Sequence, residues 1–184
     1  MESLVNQLLI AMPALNDSYF NKTVTYICEH NDDGAMGLII NLPVSITLNE
    51  LLAEIEADVE SNPILEQQVL TGGPVANQRG FVLHSPQDCW DSSLALSDDI
   101  MITTSKDILM ALGTTEAPKN FIVTLGYAGW GPGQLEQEIH ANSWLTTTAD
   151  SNILFNTPID QRWKKATEQL GIDISHLSSD IGHA

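Results

Sequence analysis

The chain has 184 residues, of which 24 are acidic and 7 are Lys or Arg, and its formal net charge is −17 at neutral pH. Affinity for DNA and RNA depends largely on phosphates neutralised by lysine and arginine, so this charge argues against nucleic acid or an anionic membrane as a partner. The length fits a single domain spanning residues 1–184, and no apolar run reaches the ~18 residues of a membrane-spanning helix.

The cysteines and the N-terminal segment indicate the compartment. Cys28 and Cys89 form neither a disulfide framework nor a metal-binding spacing. The first apolar segment follows acidic Glu2 and is interrupted by Pro13, which is unlike a secretory signal. We therefore predict a soluble cytoplasmic protein, and no motif calls for a metal or a cofactor.

The first part of the chain predicts a strand followed by a β-hairpin. Residues 8–12 form an apolar run typical of a strand, and residues 23–28 are rich in β-branched and aromatic side chains. A turn signal occupies residues 30–34, and residues 36–40 form the returning strand. The hairpin is expected to have a connection of four or five residues.

A helix is predicted directly after this hairpin. Thr47 and Glu50 have the spacing of a capping box, in which each side chain accepts a hydrogen bond from the backbone of the other residue. The apolar residues that follow recur at helical spacing and are expected to face the core: Leu48, Leu51, Leu52 and Ile55.

The middle of the chain contains an isolated basic residue beside a glycine turn. Gly72-Gly73-Pro74 predicts a turn, and residues 80–84 predict a strand. Arg79, between the two, either clamps a carboxylate or phosphate through its planar fork or pairs with one of the many acidic side chains.

Short strands are expected at residues 94–96 and 100–102, and a last helix is expected to begin with Thr157 as its cap and Pro158 at its first position.

The most unusual stretch runs from Phe121 to Leu145. A strand predicted at residues 121–125 is followed by closely spaced glycines, then by a helix and by another strand that begins at Trp144. Glycines at this density indicate backbone with positive φ or backbone that another group approaches closely. We predict an aromatic glycine loop that either binds a ligand or is only a tight turn; it contains Tyr127, Gly129, Trp130, Gly131 and Gly133.

Motifs for catalysis are weak. Alternation along a strand places Cys28 and His30 on one face, but no second pair of metal ligands accompanies them. The serines lack the GxSxG pattern, and the glycine loop matches neither GxGxxG nor a phosphate-binding P-loop. We therefore assign no catalytic residue. The alternative to a binding module is a hydrolase or transferase that uses Glu29, His30, Arg79 or His84 in a pocket.

Many short strands with a few short helices, without regular alternation, predict an α+β fold with a mostly antiparallel sheet. Three segments, LLIAMPALND…YICEHNDDGAMGLIINLP, LTGGPVANQRGFVLH and LGYAGWGPGQLEQEI…NSWL, resemble the AlgH-like (YqgE) family of bacterial proteins. The resemblance covers nearly the whole chain and implies one domain whose bent sheet forms a pseudo-barrel. The name of that family implies a link to the transcriptional regulation of alginate synthesis.

We predict a non-enzymatic binding or regulatory protein in which the Gly72–Arg79 segment and the aromatic glycine loop form two walls of one surface. An arginine beside an aromatic ring suits a planar or anionic group, carried by a protein partner or a small ligand. No sequence feature fixes an oligomeric state. The residues assigned to this surface are Gly72, Gly73, Pro74, Arg79, Tyr127, Gly129, Trp130, Gly131, Glu29 and His30.

We expect the purified protein to show no sequence-dependent binding to duplex DNA at physiological salt, because 24 acidic residues outnumber 7 basic ones. An electrophoretic mobility shift assay measures this binding, with promoter fragments from genomes that encode family members and with a scrambled duplex as the control. A sub-micromolar shift that depends on sequence would contradict the prediction.

Overall fold

The computed structural model describes residues 2–13, 15, 17–56, 60 and 62–172. The predicted domain limits, residues 1 and 184, lie outside the described residues. The strands are β1 Gln7–Ala11, β2 Val24–Asn31, β3 Gly34–Ile39, β4 Pro43–Thr47, β5 Gln68–Thr71, β6 Val75–His84, β7 Ser93–Ala95, β8 Met101–Thr103, β9 Phe121–Trp130 and β10 Trp144–Thr148. The α-helices are α1 Leu48–Ile55, α2 Lys106–Ala111, α3 Gln134–His140, α4 Ser151–Phe155 and α5 Arg162–Gln169. Short 3₁₀ helices occupy Pro63–Glu66 and Ile159–Gln161.

The strands form one curled sheet, and the predicted α+β class with a bent, mostly antiparallel sheet is confirmed. The strand order is β10-β1-β2-β3-β9-β6-β8-β7, with β5 pairing β9 and β4 pairing β5 at the side of this path. Among the described strands, the β5–β9 pair is parallel and the others are antiparallel. The sheet closes partway into a half-barrel.

Strand β9 is the branch point of the sheet. Its first half pairs with β6 on one side and with β5 on the other, where Leu70 lies opposite Thr124. Its second half pairs with β3, where Gly129 lies opposite Met36. Strand β9 therefore exchanges β5 for β3 as its neighbour along its length, and the exchange falls at Gly126.

Gly72 and Gly73, which follow β5, and Gly126 of β9 allow two backbones to cross at this branch point. Gly126 has a φ of +75°, and a Cβ atom there would lie 2.6 Å from the carbonyl oxygen of Gly73. A Cβ on Gly73 would lie 2.0 Å from the carbonyl carbon of Tyr127. The prediction of a loop that starts after Leu125 is therefore wrong: the glycines bend a continuous strand, which ends at Trp130.

Three apolar clusters cover the sheet. The largest packs α4 and α5, through Leu154 and Trp163, against strands that include Ile10 and Phe81. A second packs α1 and α2 on the β5–β6 region, and a third packs α3 on β1 and the end of β9. No described helix combines the length and the apolar content needed to cross a membrane.

The N-terminus of α1 is the best predicted local feature. The Glu50 backbone N–H donates to Thr47 Oγ1 at 3.3 Å, and the Glu50 carboxylate accepts from the Thr47 backbone N–H at 2.7 Å, which confirms the capping box. Leu48, Leu51 and Leu52 are buried as expected. The prediction is wrong for Ile55, which is 38% exposed because the apolar cluster beneath the helix ends before its last residue.

Two other boundaries differ from the prediction. The hairpin is tighter than expected, because β2 continues to Asn31, whose side chain accepts from the Asp33 backbone N–H at 2.8 Å and stabilises a two-residue connection. Thr157 does not cap the last helix, because its hydroxyl donates to the Asn152 carbonyl at 3.0 Å. Helix α5 instead begins at Arg162, after a 3₁₀ turn.

We expect Gly73→Ala to lower the free energy of unfolding by about 2–4 kcal/mol, because the added methyl group collides with backbone that cannot move freely. The control is Gly80→Ala, where a Cβ meets nothing within 4 Å, and we expect a change below about 1 kcal/mol. Urea denaturation measures both variants. Equal free energies of unfolding for Gly73→Ala and Gly80→Ala would contradict the conclusion that the backbone crossing requires glycine at position 73.

Candidate functional site

A cavity of about 550 Å³ lies against β2, β3, β6, β7, β8 and β9, and we call it the arginine cavity. It brings together Glu29, Arg79 and Tyr127, three of the residues that the sequence predicted for a binding surface. Sequence reasoning missed its other lining residues, which carry no motif and come from distant strands. They are Cys28, Met36, Phe81, Asp91, Ser92, Ser93, Leu94, Ile102 and Thr104.

Arg79 lies on strand β6 rather than in a loop, two residues before Phe81 and on the same face. Its guanidinium carbon is 5.3 Å from the centroid of the Phe81 ring, and that ring meets Tyr127 edge to face at 5.9 Å. Within the described part of the chain, the guanidinium has no ion pair or hydrogen bond. The acidic partner that one interpretation of the sequence expected is therefore absent from residues 2–13, 15, 17–56, 60 and 62–172.

A β-bulge on β2 decides which side chains face the arginine cavity. The pairing of β2 with β3 shifts register between Ile27 and Glu29, so Cys28 and Glu29 both line the cavity. The Cys28 thiol is buried, and desolvation together with the neighbouring Glu29 charge raises its pKa. This thiol is consequently a packed apolar group rather than a reactive one.

The bulge also separates His30 from Cys28, so the prediction that both share one face is wrong. The His30 side chain is 3% exposed, and its Nδ1 accepts from the Leu4 backbone N–H at 3.0 Å. The ring proton therefore lies on Nε2, which donates to Glu136 Oε1 at 2.6 Å. This hydrogen bond is the main reason that the pKa of Glu136 lies below its ordinary value.

His84 is fully buried and lies outside the arginine cavity. Its Nδ1 donates to the Ser85 carbonyl at 2.8 Å, and its Nε2 is 2.7 Å from Thr103 Oγ1. Burial lowers its pKa, so the imidazole stays neutral at physiological pH. Among the described residues, no group of three or more His, Cys, Asp or Glu side chains could hold a metal ion.

A second cavity, of about 310 Å³, contains three further residues of the predicted surface, and we call it the tryptophan cavity. Pro74, Gly129 and Trp130 line it, but Arg79 and Tyr127 do not. Tyr127 and Trp130 are three positions apart on β9 and therefore point to opposite faces of the sheet. The structure thus divides the predicted single surface between two cavities.

The three remaining glycines of the predicted surface line neither cavity. Gly72 and Gly73 are buried at the backbone crossing described above. Gly131 is exposed after the end of β9, and its backbone N–H donates to Gln134 Oε1 at 3.0 Å. These glycines shape the backbone that supports both cavities.

Glu138 organises the wall of the tryptophan cavity, and sequence reasoning assigned it no role. Its Oε2 accepts from the indole N–H groups of Trp130 and Trp144, at 2.9 and 2.8 Å. Its Oε1 accepts from Gln134 Nε2 at 2.9 Å. A spacing of six to eight residues between a carboxylate and two tryptophans is not a recognised sequence motif, so this contact had no signal in the sequence.

We expect Glu136→Gln to lower the free energy of unfolding at pH 7, because the variant weakens the charge-assisted bond from His30. A carboxyl group whose pKa is lowered by folding stabilises the protein above its unfolded pKa, and this contribution is lost as the pH falls through the folded pKa. The difference between wild type and variant should therefore shrink once the pH falls below the unfolded value of about 4.3 and disappear only below the lower folded pKa. Denaturation from pH 7 to pH 3 tests this, with exposed Glu54→Gln as the control; a pH-independent difference would contradict it.

Comparisons with known proteins place the chain in a family. The sequence model described as AlgH-like matches residues 8–175. A UPF0301 protein of Colwellia psychrerythraea is 68% identical, and another of Idiomarina loihiensis is 57% identical; each alignment covers 100% of both chains.

Two solved structures share the fold. The solution structure of the AlgH protein from Pseudomonas aeruginosa has a TM-score of 0.80 and 41% identity, covering 100% of this chain and 99% of that one. A crystal structure of protein DIP2367 from Corynebacterium diphtheriae has a TM-score of 0.76 and 18% identity, covering 97% and 93% of the two chains, and supports the fold alone. From its sequence and its half-barrel, the chain belongs to the AlgH-like family.

Proposed function

We propose that the protein is a non-enzymatic binding module whose arginine cavity takes a small organic molecule with an apolar body and an acidic group. The observation that carries this proposal is the Arg79 guanidinium, which rests on the Phe81 ring and has no carboxylate partner within the described residues. An arginine held over an aromatic ring keeps its hydrogen-bond donors available for a carboxylate or phosphate.

The size and lining of the arginine cavity support this proposal. Ligand pockets usually enclose about 300–1,000 Å³ and combine apolar walls with a few polar groups. The cavity has about 550 Å³, and Phe81, Tyr127, Met36 and Ile102 supply apolar and aromatic surface. Arg79 is the one Lys or Arg among its described lining residues, so an acidic group has a single anchoring point.

Two carboxylates on the wall of the arginine cavity restrict the ligand further. Glu29 and Asp91 both line it and accept hydrogen bonds when ionised. Glu29 already accepts from Asn31 Nδ2 at 3.0 Å, which orients one of its oxygens. A ligand that carries a hydroxyl or amino donor in addition to its acidic group would therefore match the cavity best.

The enzyme alternative has less support from the geometry. Glu29 and Arg79 do converge on one cavity, but both candidate histidines are bonded elsewhere: His30 to Leu4 and Glu136, and His84 to Ser85 and Thr103. A general base must reach the proton that it removes, and neither imidazole lines the arginine cavity.

We place the protein in the cytoplasm, where its two unpaired cysteines, one of them exposed, would stay reduced. The regulatory role implied by the family name would then operate through ligand-dependent contact with another protein. Direct contact with DNA is disfavoured by the net charge of −17.

We expect 2-naphthoate to bind more tightly than 2-naphthamide, which has the same rings without the negative charge. Arg79→Gln should weaken naphthoate binding about tenfold or more, because a hydrogen bond to a charged group is lost, and should leave naphthamide binding nearly unchanged. Titration followed by ¹⁵N–¹H NMR measures both affinities and identifies the residues affected. The control is Lys119→Gln, an exposed cation outside the described lining of the arginine cavity.

The proposal fails if naphthoate and naphthamide bind equally to the wild type. It also fails if Arg79→Gln and Lys119→Gln weaken naphthoate equally, since the effect would then reflect overall charge.

A further inference from the structure

The tryptophan cavity differs from the arginine cavity in that its described lining carries negative charge without a cation. Asp17 and Glu138 line it, and its described lining contains no Lys, Arg or His. Three aromatic rings supply much of the remaining wall, from Phe20, Trp130 and Trp144. A space with this lining repels anions and offers a cation both opposite charge and aromatic surface.

Glu138 is held in place before any ligand arrives. Three N–H donors, from Trp130, Trp144 and Gln134, bond to its two oxygens at 2.8–2.9 Å. Gln134 is itself oriented by the Gly131 backbone N–H, which donates to its side-chain oxygen. The carboxylate therefore adds negative charge to the cavity without having to reorganise.

The aromatic rings are also fixed relative to one another. Trp130 and Trp144 meet edge to face, with centroids 6.1 Å apart and planes at 82°. Phe20 and Trp144 meet at 5.6 Å and 82°. Rings that meet at right angles present electron-rich faces in more than one direction, and such faces attract organic cations.

The same lining disfavours other ligand classes. A hard metal ion needs more oxygen ligands than two separate carboxylates supply, and the described residues contain no group of three or more His, Cys, Asp and Glu side chains suited to a metal. A neutral apolar molecule would gain no electrostatic attraction from Asp17 and Glu138. The volume of about 310 Å³ suits a small ligand.

We propose that the tryptophan cavity is a second binding site that takes a small organic ammonium ion. Its aromatic rings contact the alkyl groups around the cationic nitrogen, and Asp17 and Glu138 balance the charge. This site is independent of the proposed ligand of the arginine cavity, because the described linings of the two cavities share no residue.

The test uses choline and 3,3-dimethyl-1-butanol, which has the same shape with carbon in place of the charged nitrogen. We expect choline to shift the indole N–H signals of Trp130 and Trp144 in a saturable way, and to bind about tenfold or more tightly than the neutral alcohol. A second arm compares Nα-acetyl-lysine methylamide with the norleucine analogue, which distinguishes a primary from a quaternary ammonium group. Preference for the cation in either pair supports the proposal.

Two variants separate the electrostatic from the aromatic contribution. Asp17→Asn removes one charge but keeps the side-chain oxygen that accepts from the Tyr19 and Phe20 backbone N–H groups, so the loop should stay in place. Phe20→Leu removes one ring but keeps an apolar side chain. Both should weaken cation binding about threefold or more and leave binding of the neutral analogue unchanged.

Asp99→Asn, an exposed change in a distant turn, is the control for net charge and should not alter binding. The proposal is overturned if neither cation perturbs the two indole signals, or if each cation binds no better than its neutral analogue. Equal weakening by Asp17→Asn and Asp99→Asn would also overturn it. Thermal unfolding of each variant verifies that the fold is retained.

Discussion

The architecture depends on one close contact between two backbones, where Gly72 and Gly73 pass Gly126 and Tyr127. The Gly72 backbone N–H donates to the Leu125 carbonyl at 2.8 Å, and the Gly72 carbonyl accepts from Ile39 at 2.8 Å, so this segment joins β9 to β3. Side chains at the crossing would force the two strands apart. The half-barrel and the positions of both cavities follow from this contact, because it lets β9 leave β5 and continue along β3.

Strand β9 contributes side chains to both cavities because its successive side chains point to opposite faces of the sheet. Tyr127 packs with Phe81 beside the arginine cavity, whereas Trp130 packs with Trp144 beside the tryptophan cavity. The arginine cavity is lined by Arg79 together with Glu29 and Asp91, whereas the tryptophan cavity is lined by Asp17 and Glu138. Carboxylates therefore line both cavities of this strongly acidic molecule, and a cationic side chain lines the described part of the arginine cavity alone.

The sequence predicted features that depend on neighbouring residues. The Thr47–Glu50 capping box, the β2–β3 hairpin and the α+β class were evident from local spacing and composition. The course of β9 could not be predicted, because Gly126 is required by the backbone of Gly73 and Val75, more than 50 residues earlier in the chain. The sequence likewise did not show the register shift after Ile27, which places Cys28 and His30 on different faces rather than on one face. The residues of the candidate surface consequently lie apart: Arg79 and Tyr127 line one cavity and Trp130 lines another.

The central position of β9 has a consequence for biosynthesis. Strands β3 and β6 are synthesised long before β9, yet β9 fills the gap between them in the finished sheet. Until residues 121–130 leave the ribosome, both earlier strands have an edge whose hydrogen-bonding groups lack their final partner. Unpaired strand edges are templates for wrong pairing and aggregation. The edge of β3 lacks its partner while residues 40–120 are synthesised, and the edge of β6 lacks its partner while residues 85–120 are synthesised. The speed of translation through these segments therefore sets how long each edge stays open.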